Sequence, residues 1–256
     1  DSSYGKLRGA NTLEMVHEFQ ANGIRVLGST IIGLESHTPK NIDAAIEYAV
    51  SHATDFHQFM LYTPLPGTAL HRELDAQGRI MDEEVVGLPE IHGQARFNYE
   101  HPHIRNGLET ELLVRAFNRD FEVNGPSVVR IIETTLKGWL RHKDHPDERI
   151  RDRIRWESKE LCTTWSAVVS ATRRYYRGNP IMLDRLDKLQ KSLHAEFGFK
   201  ARLMSRLGGW FVHFMMRREA RRLASGRTSE PPTFYESNYQ QTGSATEPCR
   251  YVEAVR

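Results

Sequence analysis

The sequence predicts an α/β chain in which parallel βα units are followed by an all-α region, and three observations carry that expectation. Two apolar, β-branched runs, from Gly23 to Leu34 and from Asp55 to Thr68, each read as a buried strand covered on both faces and end in a glycine or proline loop. The segment between them has helical periodicity, so the unit is βαβ and its strands are parallel. From Glu109 onward the apolar residues recur at helical spacing instead.

Each element has its own local cause. Asn11 or Thr12 caps a first helix with Leu13, Val16 and Phe19 on one face and Gly23 as its stop. The first strand is expected over Ile24 to Ile32. Thr38-Pro39 supplies an N-cap and a first-turn proline, and Ile42, Ala45, Ile46 and Ala49 form a stripe, so the crossover helix is expected over Pro39 to Ser51. The second strand follows at Phe56 to Tyr62. Thr63-Pro64-Leu65-Pro66-Gly67 can continue neither element, and Thr68 caps a short helix to Ala76, which Gly78 ends. Met81 to Arg105 reads as a long irregular excursion with one short strand near Ala95 to Tyr99.

Further helices are expected over Glu109 to Val123, Pro126 to Trp139, Glu148 to Arg177 and Ile181 to Glu196. The apolar run Leu207 to Met216, followed by Arg217, Arg218, Arg221 and Arg222, is a final bundle helix or an in-plane membrane-surface helix. From Ser225 onward small and polar residues dominate, and a disordered tail is expected. The organisation is thus 1–80 βα units, 81–140 an irregular extension with packing helices, 141–224 a basic helical domain, and 225–256 a tail.

The 256 residues are 39% hydrophobic and 27% charged, ordinary for a globular chain, and the net charge of +2 conceals an asymmetry. Residues 1–140 carry 12 basic and 19 acidic side chains, whereas 141–224 carry 20 and 10. The basic half can meet nucleic acid, an anionic lipid surface or the acidic half of the same chain. Cys162 and Cys249 stand alone, which excludes a disulfide framework and any zinc or iron–sulfur site in this chain and makes a reducing cytoplasm the default setting. No apolar run reaches the roughly 20 residues of a membrane span. The chain opens at Asp1 and enters a helical pattern almost at once, so a preceding segment is expected.

In parallel α/β folds ligands sit at the carboxyl ends of the strands, which places Gly33 to Thr38 beside Tyr62 to Thr68. Gly28-Ser29-Thr30-Ile31-Ile32-Gly33-Leu34 with Thr38, joined at this separation to Phe59-Met60-Leu61-Tyr62-Thr63-Pro64-Leu65-Pro66-Gly67-Thr68, resembles the last third of a radical S-adenosylmethionine barrel. The subgroup it is most similar to carries a cobalamin-binding domain upstream. His92 to Asn98 and Phe121 to Ser127 extend the resemblance, which covers about Tyr4 to Trp139. It implies a partial TIM-like (βα) barrel, the C-terminal portion of an enzyme that methylates or rearranges an unactivated carbon of a small or lipid-like substrate.

The same resemblance implies cofactor contacts at Ser29, Ile31, Gly33, Leu34, Leu61, Thr63 and Pro64, and substrate contacts at His37, Gln58 and Tyr62. S-adenosylmethionine is the implied cofactor; the [4Fe–4S] cluster and cobalamin are expected only in the full-length parent. The cluster motif C-x-x-x-C-x-x-C is absent, so the isolated chain should be inactive, and its implied partner is the missing N-terminal half of the polypeptide. The family glutamate also lacks a clean counterpart: Glu35 follows Leu34 directly and His37 stands before Thr38. No metal site is expected, His92, His101 and His103 reading as loop histidines. A strand-end glycine such as Gly33 serves either a ligand or simply a turn. A basic helical binding module for nucleic acid or an anionic membrane is the alternative function. Peripheral membrane contact through 207–222, at the inner membrane, belongs to both readings, while nucleic acid is not expected as the enzyme's partner.

Overall fold

A computed structural model describes residues 9–82 and 96–226. Along the chain run α1 (Thr12–Ala21), β1 (Leu27–Ile32), α2 (Ile42–Ser51), β2 (Phe56–Leu61), α3 (Ala69–Ala76), α4 (Leu108–Asn124), α5 (Ser127–His142), α6 (Glu148–Glu157), a π-helical turn (Leu161–Trp165), α7 (Ser166–Tyr175) and α8 (Pro180–Ala224). The fold is mixed helix and strand, and helices dominate. No helix among the described residues is long and apolar enough to cross a membrane.

β1 and β2 pair in parallel, in register from Leu27 opposite Phe56 to Ile32 opposite Leu61. They form a two-stranded sheet, and the described residues contain no further strand to extend it toward a barrel. Ile32, Phe59 and Leu61 point from one face into a core with Ile42, Ile46, Ala49 and Val50 of α2 and Leu112, Leu113 and Ala116 of α4. Full burial of each large aliphatic here is worth roughly 1.5–3 kcal/mol. At the rim of the same layer Arg115 pairs with Asp43 at 3.0 Å and Arg119 with Glu47 at 2.5 Å.

Several boundaries differ from the sequence expectation, each for a local reason. β1 begins at Leu27 because Ile24 is spent on the α1 exit: its N–H donates to Phe19 O, past Gly23 at φ +79. α2 begins at Ile42 because Thr38 to Asn41 form a turn in which Asn41 Oδ1 accepts from Thr38 N. The helix expected over Glu148 to Arg177 breaks after Glu157, where Leu161 N–H bonds back to Ser158 O and the π-helical turn follows. By contrast α8 runs on from Glu196 to Ala224, interrupted only at Gly198 (φ 61, ψ −137). The strand expected at Ala95 to Tyr99 is reduced to an isolated bridge between Tyr99 and Ile80. Ala95 itself, His92, Cys249 and the expected tail beyond Gly226 lie outside the described residues.

The second core joins Val129, Ile132 and Leu136 of α5 to Leu161, Val169, Leu186, Leu189 and Leu193. α5 also reaches back to the elements around the sheet. Its Gly138 meets Gly23 so closely that a Cβ on Gly23 would lie 2.4 Å from Gly138 Cα. Its Arg130 reaches back to pair with Asp120 of α4 at 2.7 Å, both side chains buried, and donates to Thr54 O at 2.6 Å. Burial would raise the Asp120 carboxyl, but the neighbouring His57 ring, Arg130 guanidinium and Asn124 amide outweigh it and bring it down to about 2. A depressed carboxyl stabilises the fold above its unfolded value of 3.8, and the stabilisation is lost as pH falls through about 2.

Removing one partner of this buried pair strands the other. Asp120→Asn is expected to cost about 3–5 kcal/mol in urea denaturation. Arg115→Ala, which breaks an exposed pair on the same helix, should cost less than about 1 kcal/mol.

Candidate functional site

Against the expectation of strands buried on both faces, because α2 and α4 both pack on one face of the sheet, no described element covers the second. In register along it lie Leu27 with Phe56, Ser29 with Gln58 and Ile31 with Met60, all exposed. Leu27 is 60% exposed, Ile31 and Phe56 45% each, and Met60 37%. Parallel strands ordinarily bury both faces, so an apolar strip of this kind marks a surface built to be covered. At its centre Ser29 and Gln58 make no side-chain hydrogen bond among the described residues.

The carboxyl ends of the strands lie side by side, as the parallel pairing requires, and they are closed by two histidines and a run of aromatic residues. His37 Nδ1 accepts from the N–H of Gly33 at 3.1 Å and of Leu34 at 3.3 Å. His101 Nδ1 accepts from His103 N and Ile104 N, which leaves its Nε2–H to donate to Leu34 O at 3.1 Å. Phe97 stacks on the His101 ring at 4.9 Å between centroids and lies over Gly33. Beside it Asn98 Nδ2 donates to Pro64 O at 3.1 Å. Phe97, Tyr99 and His101 also line a cavity of about 570 Å³ with Met81, Ile104 and Glu109.

The sequence-predicted site residues therefore fall into three groups. Ser29, Ile31 and Gln58 share the open face. Gly33, Leu34, His37 and Pro64 meet at the strand ends, where their backbone or ring groups already bond one another or the 98–101 segment. Leu61 points to the opposite face, 5% exposed within the helix-covered core. Tyr62 packs against that core and meets Tyr99 edge to face, and the Thr63 hydroxyl donates to Leu61 O. Glu35 is taken by Arg79 at 2.8 Å.

Sequence reasoning missed the closing role of Phe97, Tyr99 and His101. Their period-two spacing is the signal that placed them on one side, and it was masked by the prolines and glycines around them. Among the described residues no cluster of three histidine, cysteine or carboxylate side chains could hold a metal ion. Comparison with known proteins finds no matching family model, no matching curated protein and no matching solved structure.

Gly33 is held at φ +75, and an added Cβ would lie 2.5 Å from Phe97 Cζ. Gly33→Ala is therefore expected to cost about 2–4 kcal/mol, while Gly67→Ala, at φ +85 in open space, should cost only about 1–2 kcal/mol in the same thermal or urea melts.

Burial, then the nearby His101, holds His37 below the 6.5 of a free imidazole; burial also lowers His101 despite its bond to Leu34 O. With lowered folded values the unfolded chain binds protons first, so stability should fall as pH drops below 6.5 and level off below the folded values. Urea midpoints across that range check the slope, and His37→Gln should flatten it.

Proposed function

We propose that this chain is the C-terminal portion of a radical S-adenosylmethionine enzyme of the cobalamin-binding subgroup, and that β1 and β2 are the last strands of its barrel. The observation that carries the reading is the open, apolar, parallel face of Leu27, Ser29, Ile31, Phe56, Gln58 and Met60. A helix layer outside and an uncovered inner face is what a barrel wall looks like without the remaining strands. That neither sheet edge is paired by another strand among the described residues supports the same reading.

Cys162 and Cys249 cannot supply three thiolates, so the [4Fe–4S] cluster would be bound by residues upstream in the parent. For S-adenosylmethionine the fit is better. The Ser29 hydroxyl and Gln58 amide offer unspent hydrogen-bonding groups, and Ile31 and Met60 offer an apolar bed beside them, a combination suited to an adenosine. The N–H groups of Gly33 and Leu34 are taken up by His37, and the Leu34 and Pro64 carbonyls by His101 and Asn98, so the adenosine would rest on side chains of the open face. When bound, the cluster and S-adenosylmethionine supply the radical that activates a carbon–hydrogen bond. This chain's residues would bind and orient the adenosine and, with Tyr62, Thr63 and His37 at the rim, restrict access of water to it.

A second reading, a basic helical binding module, draws on a different place, an arginine-rich cleft between α7 and α8.

The test is the complete polypeptide, prepared anaerobically and reconstituted. Cluster absorbance and cleavage of S-adenosylmethionine to 5′-deoxyadenosine are expected, and Ser29→Ala with Gln58→Ala should weaken S-adenosylmethionine binding about tenfold while leaving cluster absorbance unchanged. A complete protein with neither cluster nor cleavage sinks the radical reading.

A further inference from the structure

The C-terminal half of α8 carries an apolar ridge that no other described element covers. Phe199, Leu203, Leu207, Trp210, Phe211 and Phe214 are between 41% and 78% exposed. At about 100° per residue they fall on one side of the helix, over a length of roughly 22 Å. The opposite side is small: Ala201, Ser205 and Gly209 are buried, and Gly208 and Gly209 let α7 approach so closely that added Cβ atoms would lie 2.9 Å from Ala167 and 2.7 Å from Ser170. Packing of α8 on its own fold is thus complete without the ridge.

The ridge runs directly into cations. A cleft of about 1040 Å³ between α7 and α8 is lined by Arg174, Arg177, Arg217, Arg218 and Arg221, with Trp210 and Phe214 of the ridge on its wall. None of these five arginines forms an ion pair with a described residue; the cleft's other two, Arg173 and Arg222, pair with Asp187 and Glu219. Arg174 instead lies over the Trp210 ring, 5.2 Å from its centroid. No Asp, Glu, Lys or Arg occurs from Leu207 to Met216.

We propose that this face docks on an anionic phospholipid bilayer, the ridge entering the headgroup–acyl boundary and the arginines bonding lipid phosphates. Charge complementarity selects the occupant: uncompensated guanidiniums call for phosphates, and the aromatic and leucine ridge beside them calls for hydrocarbon at the same surface. Trp210, with its ring at the junction, has the place tryptophan prefers between apolar and polar layers. A nucleic acid would satisfy the arginines but leave Leu203, Leu207 and Phe211 in water. The inference is independent of the chemistry proposed at the sheet, and it gives the binding-module reading one partner.

Flotation of the full chain with vesicles of mixed phosphatidylglycerol and phosphatidylcholine, against phosphatidylcholine alone, tests it. Binding should require the anionic lipid, weaken with added salt, and fall about tenfold or more in Arg217→Glu/Arg221→Glu and also in Phe211→Ser/Phe214→Ser. The Phe side chains are exposed, so circular dichroism should show both variants folded. Absence of binding, equal binding to phosphatidylcholine, or binding that survives either double substitution overturns the proposal. So does single-stranded RNA that displaces the vesicles. None of these results bears on cluster absorbance or S-adenosylmethionine cleavage, so the two readings fail separately.

Discussion

The parallel pairing of β1 with β2 is the constraint from which the rest of the core around the sheet follows. Parallel strands cannot be joined by a tight turn, so a crossover is obligatory, and α2 provides it while covering one face. The same geometry brings both strands' carboxyl ends to one side, which is why Gly33 and Pro64, far apart in sequence, are closed by a single segment at 97–101. It also leaves a face that α2 and α4 cannot reach. The apolar residues of that face keep the unfavourable hydration that burial removes elsewhere in the core. A chain shaped only for its own stability would carry polar residues at Leu27, Ile31, Phe56 and Met60.

The second core is tied to the first through α5. Gly138 permits backbone contact with Gly23, and Arg130 spans from α5 to Asp120 and the Thr54 carbonyl. Asn124 extends the same network, donating to Val50 O and Asp120 while its own carbonyl accepts from Arg185 of α8. The polar groups along this seam bond across it, and the apolar cores lie on either side. Such a seam is specific in register, because a shift of one residue would leave buried charge without a partner.

Much of this was legible in the sequence. Apolar, β-branched runs ending in glycine or proline loops located both strands, the 3.6 period located the helices around them, and Asn11 and Thr68 act as the caps their positions implied, accepting from Glu14 N and His71 N. The open sheet face runs against the reading of strands covered on both faces, because a continuous apolar run looks the same whether one face or both are covered. The break at Ser158 and the continuation through Gly198 were also hidden. Neither contradicts helical periodicity, and one is decided by a π-helical turn whose Leu161 O accepts from the hydroxyl of Ser166, the first residue of α7. The arginine cleft was visible as charge but not as shape, since it needs α7 and α8 side by side.

Gly33 shows how packing and ligand readings of one residue are separated. A glycine near an expected cofactor suggests close approach of a ligand, yet here its positive φ and the Phe97 ring against it already account for the residue. Its N–H goes to His37, so neither its missing side chain nor its donor is left over for an adenosine. The ligand reading at this sheet therefore rests on Ser29, Ile31, Gln58 and Met60, whose exposure and unspent polar groups nothing in the described fold explains. A residue type argues for a site only after the fold's own demands on that residue have been subtracted.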